Sequence, residues 1–281
     1  MTNCAECKGI HGDGYEANIQ LDPYNSRARL FDYQGDAEKT ISAMNQICRR
    51  HQFGKLVCTV HPRDDRSFVD HGFLQEGAIS GFFKGEDADC FSCFFDPQRE
   101  KSEFLSTENE IISYCATDDP EDDFPKISEG IRTAQKEDAE KIAGLFREVF
   151  PFYPTPMDRP EYVKKMMDQD VLFKVLERDG VLASVASADM NQKFLHAEIT
   201  DCATRTSFRG KGYLNQMVFS LENDLRTLGY LTAFSLARAR SFGMNIVLSK
   251  RGYKYSGRHI NNCRIMNGFE DMNIWVKRLQ S

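Results

Sequence analysis

The sequence predicts an α+β fold, a mixed sheet flanked by helices, preceded by a smaller α/β domain. Apolar residues recur at helical spacing in some segments and alternate or run unbroken in others. From residue 131 onward these segments follow the order β-α-α-β-β-β-α-β-α-β-β, which suits helices packed on one mixed sheet. An acidic, proline-containing stretch without periodicity, CATDDPEDDFPKISE at 115–129, separates this run from what precedes it. The expected division is a domain at 1–120, a linker at 121–129 and a larger domain at 130–281, in keeping with about two domains for this length.

The larger domain opens with a short strand at Ile131–Thr133. A helix follows with Ile142, Leu145, Phe146, Val149 and Phe150 on one face. Glu137, Asp138 and Glu140 lie in its first turns, where the helix dipole favours acids. Pro151, Pro154 and Pro156 end it. A short helix around Glu161–Met167 leads to two strands joined at Asp179-Gly180, a hairpin signal. LHAEITDCAT is the next strand. A helix from Tyr213 carries Leu214, Met217, Val218, Leu221, Leu225 and Leu228 on one stripe, and Gly229 stops it. LTAFSLA is a strand, SFGMNIVLSKR a helix, and YKYSGRHI and MNIWVKRL are closing strands.

The first domain shows a shorter version of the same ending. A helix at Asp36–His51, the strand KLVCTV, a short helix at Asp65–His71, Gly72-Phe73, and strands near LQEGAISGFF and CFSCFF parallel FSLARARSFGMNIVLSKRGYKYSGRHI. This reads either as a coincidence of common elements or as a degenerate partial copy.

Composition narrows the function. The chain is 41% hydrophobic, enough for a sizeable core. A net charge of −6 without a basic stripe argues against nucleic acid. The polar start, MTNCAECKGIHGDGY, has no apolar signal region, and no apolar run is long enough for a membrane helix. Nine scattered cysteines fit reduced thiols in a cytoplasm. Two CxxC pairs, Cys4/Cys7 and Cys90/Cys93, raise a zinc site. In a strand Cys90 and Cys93 would point to opposite faces, so no metal is expected.

The stretch with the most chemistry is RGKG, Arg209 to Gly212, between a strand and a helix. Glycines allow a tight turn and close approach of a ligand. The first-turn N–H groups of the helix, with its dipole, form an anion site, and Arg209 and Lys211 add charge. This reads as a phosphate or pyrophosphate cradle, or else as a glycine turn with solvated basic residues. It is neither GxxxxGK[ST] nor GxGxxG, since Asn215 stands where the latter needs its third glycine.

In this context the sequence resembles the GNAT superfamily of acetyl-CoA-dependent N-acetyltransferases. R-G-K-G-Y-L at 209–214 matches the family loop [QR]-x-x-G-x-[GA] except at Leu214, and Lys250-Arg251-Gly252-Tyr253 matches K-x-G-[FY]. ARARSFGMN (237–245), NNCRIMNGFEDMNIWVK (261–277) and the N-terminal extension resemble the β-lysine N-acetyltransferases. The resemblance implies a GNAT-type mixed sheet, acetyl-CoA as co-substrate, and a small amine acceptor, β-lysine, acetylated at N6 to an osmolyte, in a monomer or homodimer. It implies pyrophosphate contacts at Arg209, Gly210, Lys211, Gly212, Tyr213 and Leu214, and backbone contacts to the thioester and pantetheine arm at Cys202, Ala203 and Thr204. Asn245 would contact the CoA arm. Another amine, or a non-catalytic CoA-binding module, are the alternatives.

An alkyl amine has a pKa of about 10.4, so transfer needs a base and donors for an oxyanion. Glu198, in an A-E-I that resembles the catalytic strand of histone acetyltransferases, is the first candidate, and Asp201 the second. The two face opposite sides of a regular strand; a bulge would bring both to the cleft. The resemblance leaves the general acid open, because Leu248 occupies the family's tyrosine position and Ser241 that of its asparagine. Tyr253 or Tyr213 could substitute, or the thiolate could leave unprotonated to water. For an amino-acid acceptor, Arg205, Arg238 and Arg240 are candidate carboxylate clamps, and Glu270 and Asp271 candidate ammonium ligands.

Overall fold

A computed structural model describes residues 5–117, 129–265 and 268–280. The N-terminal part contains β1 (Glu6–Gly12), β2 (Tyr15–Asp22), β3 (Arg27–Gly35), α1 (Ala37–His51), β4 (Lys55–Val60), α2 (Asp65–Asp70), β5 (Leu74–Phe83), β6 (Glu86–Phe94) and α3 (Leu105–Thr117). The strands β1 to β3 and the helix α3 add to the elements read from the sequence. From 118 to 128 the acidic segment lies outside the described residues, as does Cys4.

The second part runs β7 (Ile131–Thr133), α4 (Ala139–Val149), α5 (Pro160–Met167), β8 (Val171–Arg178), β9 (Val181–Asn191), β10 (His196–Thr204), α6 (Tyr213–Thr227), β11 (Thr232–Arg238), α7 (Phe242–Lys250), β12 (Lys254–Ile265) and β13 (Gly268–Arg278). This is the expected order. Its helices form where apolar residues recur every three or four positions: α4 buries Ile142, Leu145 and Phe146, and α6 buries Met217, Val218, Leu221 and Leu225.

Among the described residues all strands join one 13-stranded sheet, ordered β1-β2-β3-β4-β6-β5-β12-β13-β11-β10-β9-β8-β7. Its two halves repeat. The set β1-β2-β3-β4-β6-β5 has the order of β8-β9-β10-β11-β13-β12, with a parallel pair at β3/β4 and at β10/β11 and a helix between them in each case. Among the described residues the N-terminal half has no counterparts of β7, α4 and α5. The halves join at Gly77 of β5 paired with Gly257 of β12.

The long sheet curls so that one face of each half looks at the other. Lys193, in the β9–β10 turn, pairs with Asp32 of β3 at 2.8 Å. His196 of β10 stacks on Phe82 of β5 with centroids 3.9 Å apart. Ile79, Phe82, Ala88 and Cys90 pack with Phe234, Ile274 and Val276 between the halves. The outer faces carry α1, which covers Ile19, Leu30, Leu56 and Cys58, and α6, which covers Ala197, Ile199 and Ala233, whereas α4 and α5 pack on the inner face of the second half against Phe173, Val175 and Val185. Although it precedes the acidic segment, α3 buries Cys115 in the second half's core, and Ser249 Oγ donates to the Cys115 carbonyl at 2.8 Å. Cys90 packs between the halves and Cys93 against the α1 side, as strand alternation requires.

Candidate active site

The parallel strands β10 and β11 pair only at His196/Thr232, Ala197/Ala233 and Glu198/Phe234. Beyond Glu198 they part. On its other side β10 pairs with β9 through Thr200/Ser187, then resumes at Ala203/Val185. Asp201 and Cys202 form a bulge, and Asp201 has φ 45°, a strained value for a non-glycine residue that recurs at functional sites. The bulge places two carboxylates on the inner side of one strand.

Their surroundings suit proton transfer. Glu198 is raised to about 7 by burial, opposed chiefly by the positive charge of Arg29 in β3. Asp201 is raised to about 6, again by burial, with a hydrogen bond from Tyr153 acting the other way. Tyr153 Oη donates to Asp201 Oδ1 at 3.1 Å and Ser187 Oγ to Oδ2 at 3.4 Å. Asp189 sits beside Glu198 in the β9/β10 ladder, and burial of its carboxyl raises its pKa, opposed by Arg29. A carboxylate titrating near neutrality is what a general base requires. Cys202 is the opposite case: burial pushes its thiol up, which leaves little thiolate for nucleophilic attack.

From Thr204 the chain passes through a turn at Thr206–Phe208 to the glycine loop. Gly210 and Gly212 have φ 75° and 72°, conformations that favour glycine, and a Cβ on either would meet no atom within 4 Å. That is an open backbone edge rather than a packed corner. Gly212 caps α6, whose first bond runs from Gln216 N to the Gly212 carbonyl at 3.2 Å. The preceding N–H groups point out of the helix end, as an anion site needs. Arg209 Nε donates to the Thr204 carbonyl at 3.1 Å, Lys211 Nζ lies 5.0 Å from the Phe208 ring centroid, and Leu214 packs against the α6 core. These residues fit a pyrophosphate.

Other expected site residues turn inward to the fold. Glu270 receives both Nε and Nη2 of Arg238 at 2.8 Å and Nη2 of Arg240 at 3.0 Å. The expected carboxylate clamps and ammonium ligand therefore pair with each other in this structure. Asp271 accepts from Asn261 N at 2.6 Å and lies against Glu108, so it too is enclosed by the chain. Arg205 pairs with Glu148 and bonds the Leu182 carbonyl. Asn245 is fully buried. Its amide donates to the carbonyls of Arg238 and Ser241, and its oxygen accepts from Asn273 Nδ2 and Trp275 Nε1. With those groups spent it holds α7 to β13 instead of a CoA arm. Leu248 and Tyr253 are buried, the latter with its hydroxyl unpartnered among the described residues. Tyr213 is half-buried beneath Arg178.

Sequence reasoning missed Tyr153, Asp189 and Arg29. Tyr153 stands between helix-ending prolines, and its bond to Asp201 spans 48 positions. Only the pairing of Asp189 with Glu198 along the hairpin was within reach of a register argument.

A splayed parallel pair, a bulged strand bearing carboxylates and a glycine loop capping the next helix all fall within the stretch that a family model matches. The family model of the acetyltransferase (GNAT) domain matches residues 130–247. The chain is 33% identical over 275 residues to N-acetyltransferase YodP of Bacillus subtilis, covering 97% of this chain and 99% of that protein. It is 33% identical over 270 residues to the β-lysine N6-acetyltransferase of Methanosarcina mazei, covering 88% of this chain and 100% of the relative. An N-acetyltransferase structure from Staphylococcus aureus covers 53% of this chain and 98% of its own at TM-score 0.47 and 20% identity. The chain belongs to the GNAT superfamily and, within it, to the family of the β-lysine N-acetyltransferases.

Proposed function

We propose that this enzyme transfers the acetyl group of acetyl-CoA to the N6 amine of β-lysine by direct attack in a ternary complex, with Glu198 as general base. The carrying observation is the pair Glu198 and Asp201, both titrating near neutrality on the bulged strand that leads into the RGKG loop. The M. mazei relative's name supports the acceptor. So does the enclosure, since the N-terminal half faces the cleft and suits a small acceptor better than a protein lysine. Acetyl-CoA supplies the activated acetyl group. The chain's own residues do the rest: Glu198 takes one ammonium proton, Asp201 holds the ammonium, the backbone N–H groups of Cys202 to Thr204 serve the thioester carbonyl, and on collapse CoA leaves as its thiolate, to which the nitrogen's second proton passes through solvent. Capping one ammonium leaves a net-neutral zwitterion, the chemistry of a compatible solute.

We infer that the N-terminal half is a supporting domain derived from the same fold. Its α1 begins with Asp36, whose carboxylate accepts from Glu38 N and Lys39 N at 2.9 and 3.1 Å. A side-chain carboxylate thus takes the amides that α6 leaves for a phosphate. Calorimetry should give one acetyl-CoA per chain, and a second equivalent site in this half would contradict this.

Free-thiol release measured with β-lysine, lysine, spermidine and diaminopentane tests the acceptor. β-Lysine should lead in kcat/KM; equal or faster turnover of the polyamine would overturn the assignment.

A further inference from the structure

The two halves can be aligned through their ladders. Arg29 pairs with Val57, Val57 with Ser92, and Ser92 with Leu74. In the second half Glu198 pairs with Phe234, Phe234 with Val276, and Val276 with Lys254. Leu74 follows Gly72-Phe73 and Lys254 follows Gly252-Tyr253. Arg29 is therefore the register equivalent of Glu198. Because the inner faces of the halves look at each other, these two side chains enter one cleft from opposite walls.

Arg29 is half-buried, and among the described residues its side chain makes no hydrogen bond and no ion pair; its guanidinium lies 4.9 Å from the Phe31 ring centroid. Neighbouring cations on the same face are committed. Arg27 is held by Asp22 at 3.0 Å and by the Asn262 carbonyl, and Lys55 by Glu76 at 2.9 Å and the Ile260 carbonyl. A half-buried guanidinium left without a carboxylate is costly and presents a planar fork suited to one.

We propose that Arg29 binds the carboxylate of the amino-acid acceptor, so that the N-terminal half supplies a specificity contact of the active site; this rests on the amino-acid reading of the acceptor above. The amine end then lies at the wall of Glu198 and the carboxylate end at the opposite wall. The fields agree: Arg29 is the largest charge acting on Glu198 and also acts on Asp189.

The test compares β-lysine with 1,5-diaminopentane, which has no carboxylate, in the wild type, Arg29→Gln and Arg29→Lys, with acetyl-CoA affinity by calorimetry as the check on folding. Losing a charge-assisted contact corresponds to about a 10–100-fold rise in KM. Arg29→Gln should show that rise for β-lysine and not for diaminopentane, and Arg29→Lys, which keeps the charge without the fork, should fall between. An equal loss for both acceptors, with the pH profile displaced upward, would show that Arg29 acts only through Glu198 and would overturn the proposal. A wild-type preference for β-lysine that survives in Arg29→Gln overturns the Arg29 assignment alone. A wild type that favours diaminopentane overturns the amino-acid reading and this proposal together.

Discussion

Gly77 and Gly257 meet backbone to backbone at the centre of the sheet: a Cβ on Gly257 would lie 2.4 Å from Gly77 Cα and 2.2 Å from the Glu76 carbonyl oxygen. Gly257 also has φ 141°. Both glycines sit where the ladder of their own hairpin shifts, between Gln75 and Gly77 and between Tyr255 and Gly257. The junction thus depends on two missing side chains at equivalent positions. Gly257→Ala should cost about 2–5 kcal/mol from strain and overpacking, a fall of roughly 5–15 °C in Tm for a protein of this size. Thermal unfolding that leaves Tm unchanged would contradict this close approach.

Beside that junction Glu76 accepts from Lys55 Nζ at 2.9 Å, from His259 Nδ1 at 2.6 Å and from Ile260 N at 2.8 Å. The Lys55 side chain is 0% exposed. Glu76→Gln leaves that ammonium without its counter-charge, which should cost about 3–5 kcal/mol at pH 7. The Glu76 carboxyl is held down at about 2, by Lys55 and His259 against the cost of burial. A lowered carboxylate pKa stabilises the fold above its unfolded value of about 4.3 and ceases to do so as pH falls towards 2. Acid denaturation monitored by circular dichroism should therefore lose this increment between those values in the wild type and show no such increment in Glu76→Gln.

The glycine loop makes a separate prediction. A valine at Gly212 must adopt φ 72°, which branched side chains resist, and it would stand on the edge offered to the pyrophosphate. Gly212→Val should raise the acetyl-CoA KM at least about tenfold, the loss of one charge-assisted contact. Unchanged acetyl-CoA affinity in a folded variant would contradict the cradle.

Tyr153 steadies the charged form of Asp201 by donating to it. Without that donor the Asp201 pKa moves upward from about 6. In Tyr153→Phe the acceptor KM should rise near pH 6, where Asp201 is then largely neutral, and recover by pH 8. A change in KM that is the same at both pH values would rule out this role.

What could be read from the chain depended on periodicity. The helices and turns of the second half were legible, because Ile142, Leu145 and Phe146, or Met217, Val218, Leu221 and Leu225, mark helix faces, and Asp179-Gly180 and Gly229 mark ends, whereas the closing strands run longer than read, β12 to Ile265 and β13 from Gly268. By contrast β1, ECKGIHG, is almost wholly exposed and shows no alternation. The third strand hides Arg27 and Arg29 on a face that looks like solvent-facing charge until the second half covers it. α3 buries only Glu108 and Cys115 among its own residues, too little for a stripe. At the site, local motifs carried RGKG, Glu198 and Asp201. They could not reveal that Arg238 closes on Glu270 across 32 positions, or that Tyr153 reaches Asp201, because such pairs are set by the tertiary fold alone.

In the proposed mechanism Glu198 takes the proton from the acceptor amine. The most direct measurement is kcat against pH for the wild type, Glu198→Gln and Asp201→Asn. With Glu198 near 7, wild-type kcat should climb through pH 7 as the carboxyl ionises and level off above it. Glu198→Gln keeps the shape and removes the basicity, so kcat should fall by about 10²–10⁴ at neutral pH. That loss should shrink as pH rises toward the amine's own pKa of about 10.4, while acetyl-CoA KM stays near wild type. Asp201→Asn should act mainly on acceptor KM. A large pH-dependent loss of kcat in Asp201→Asn, with Glu198→Gln near wild type, would contradict the account and make Asp201 the base.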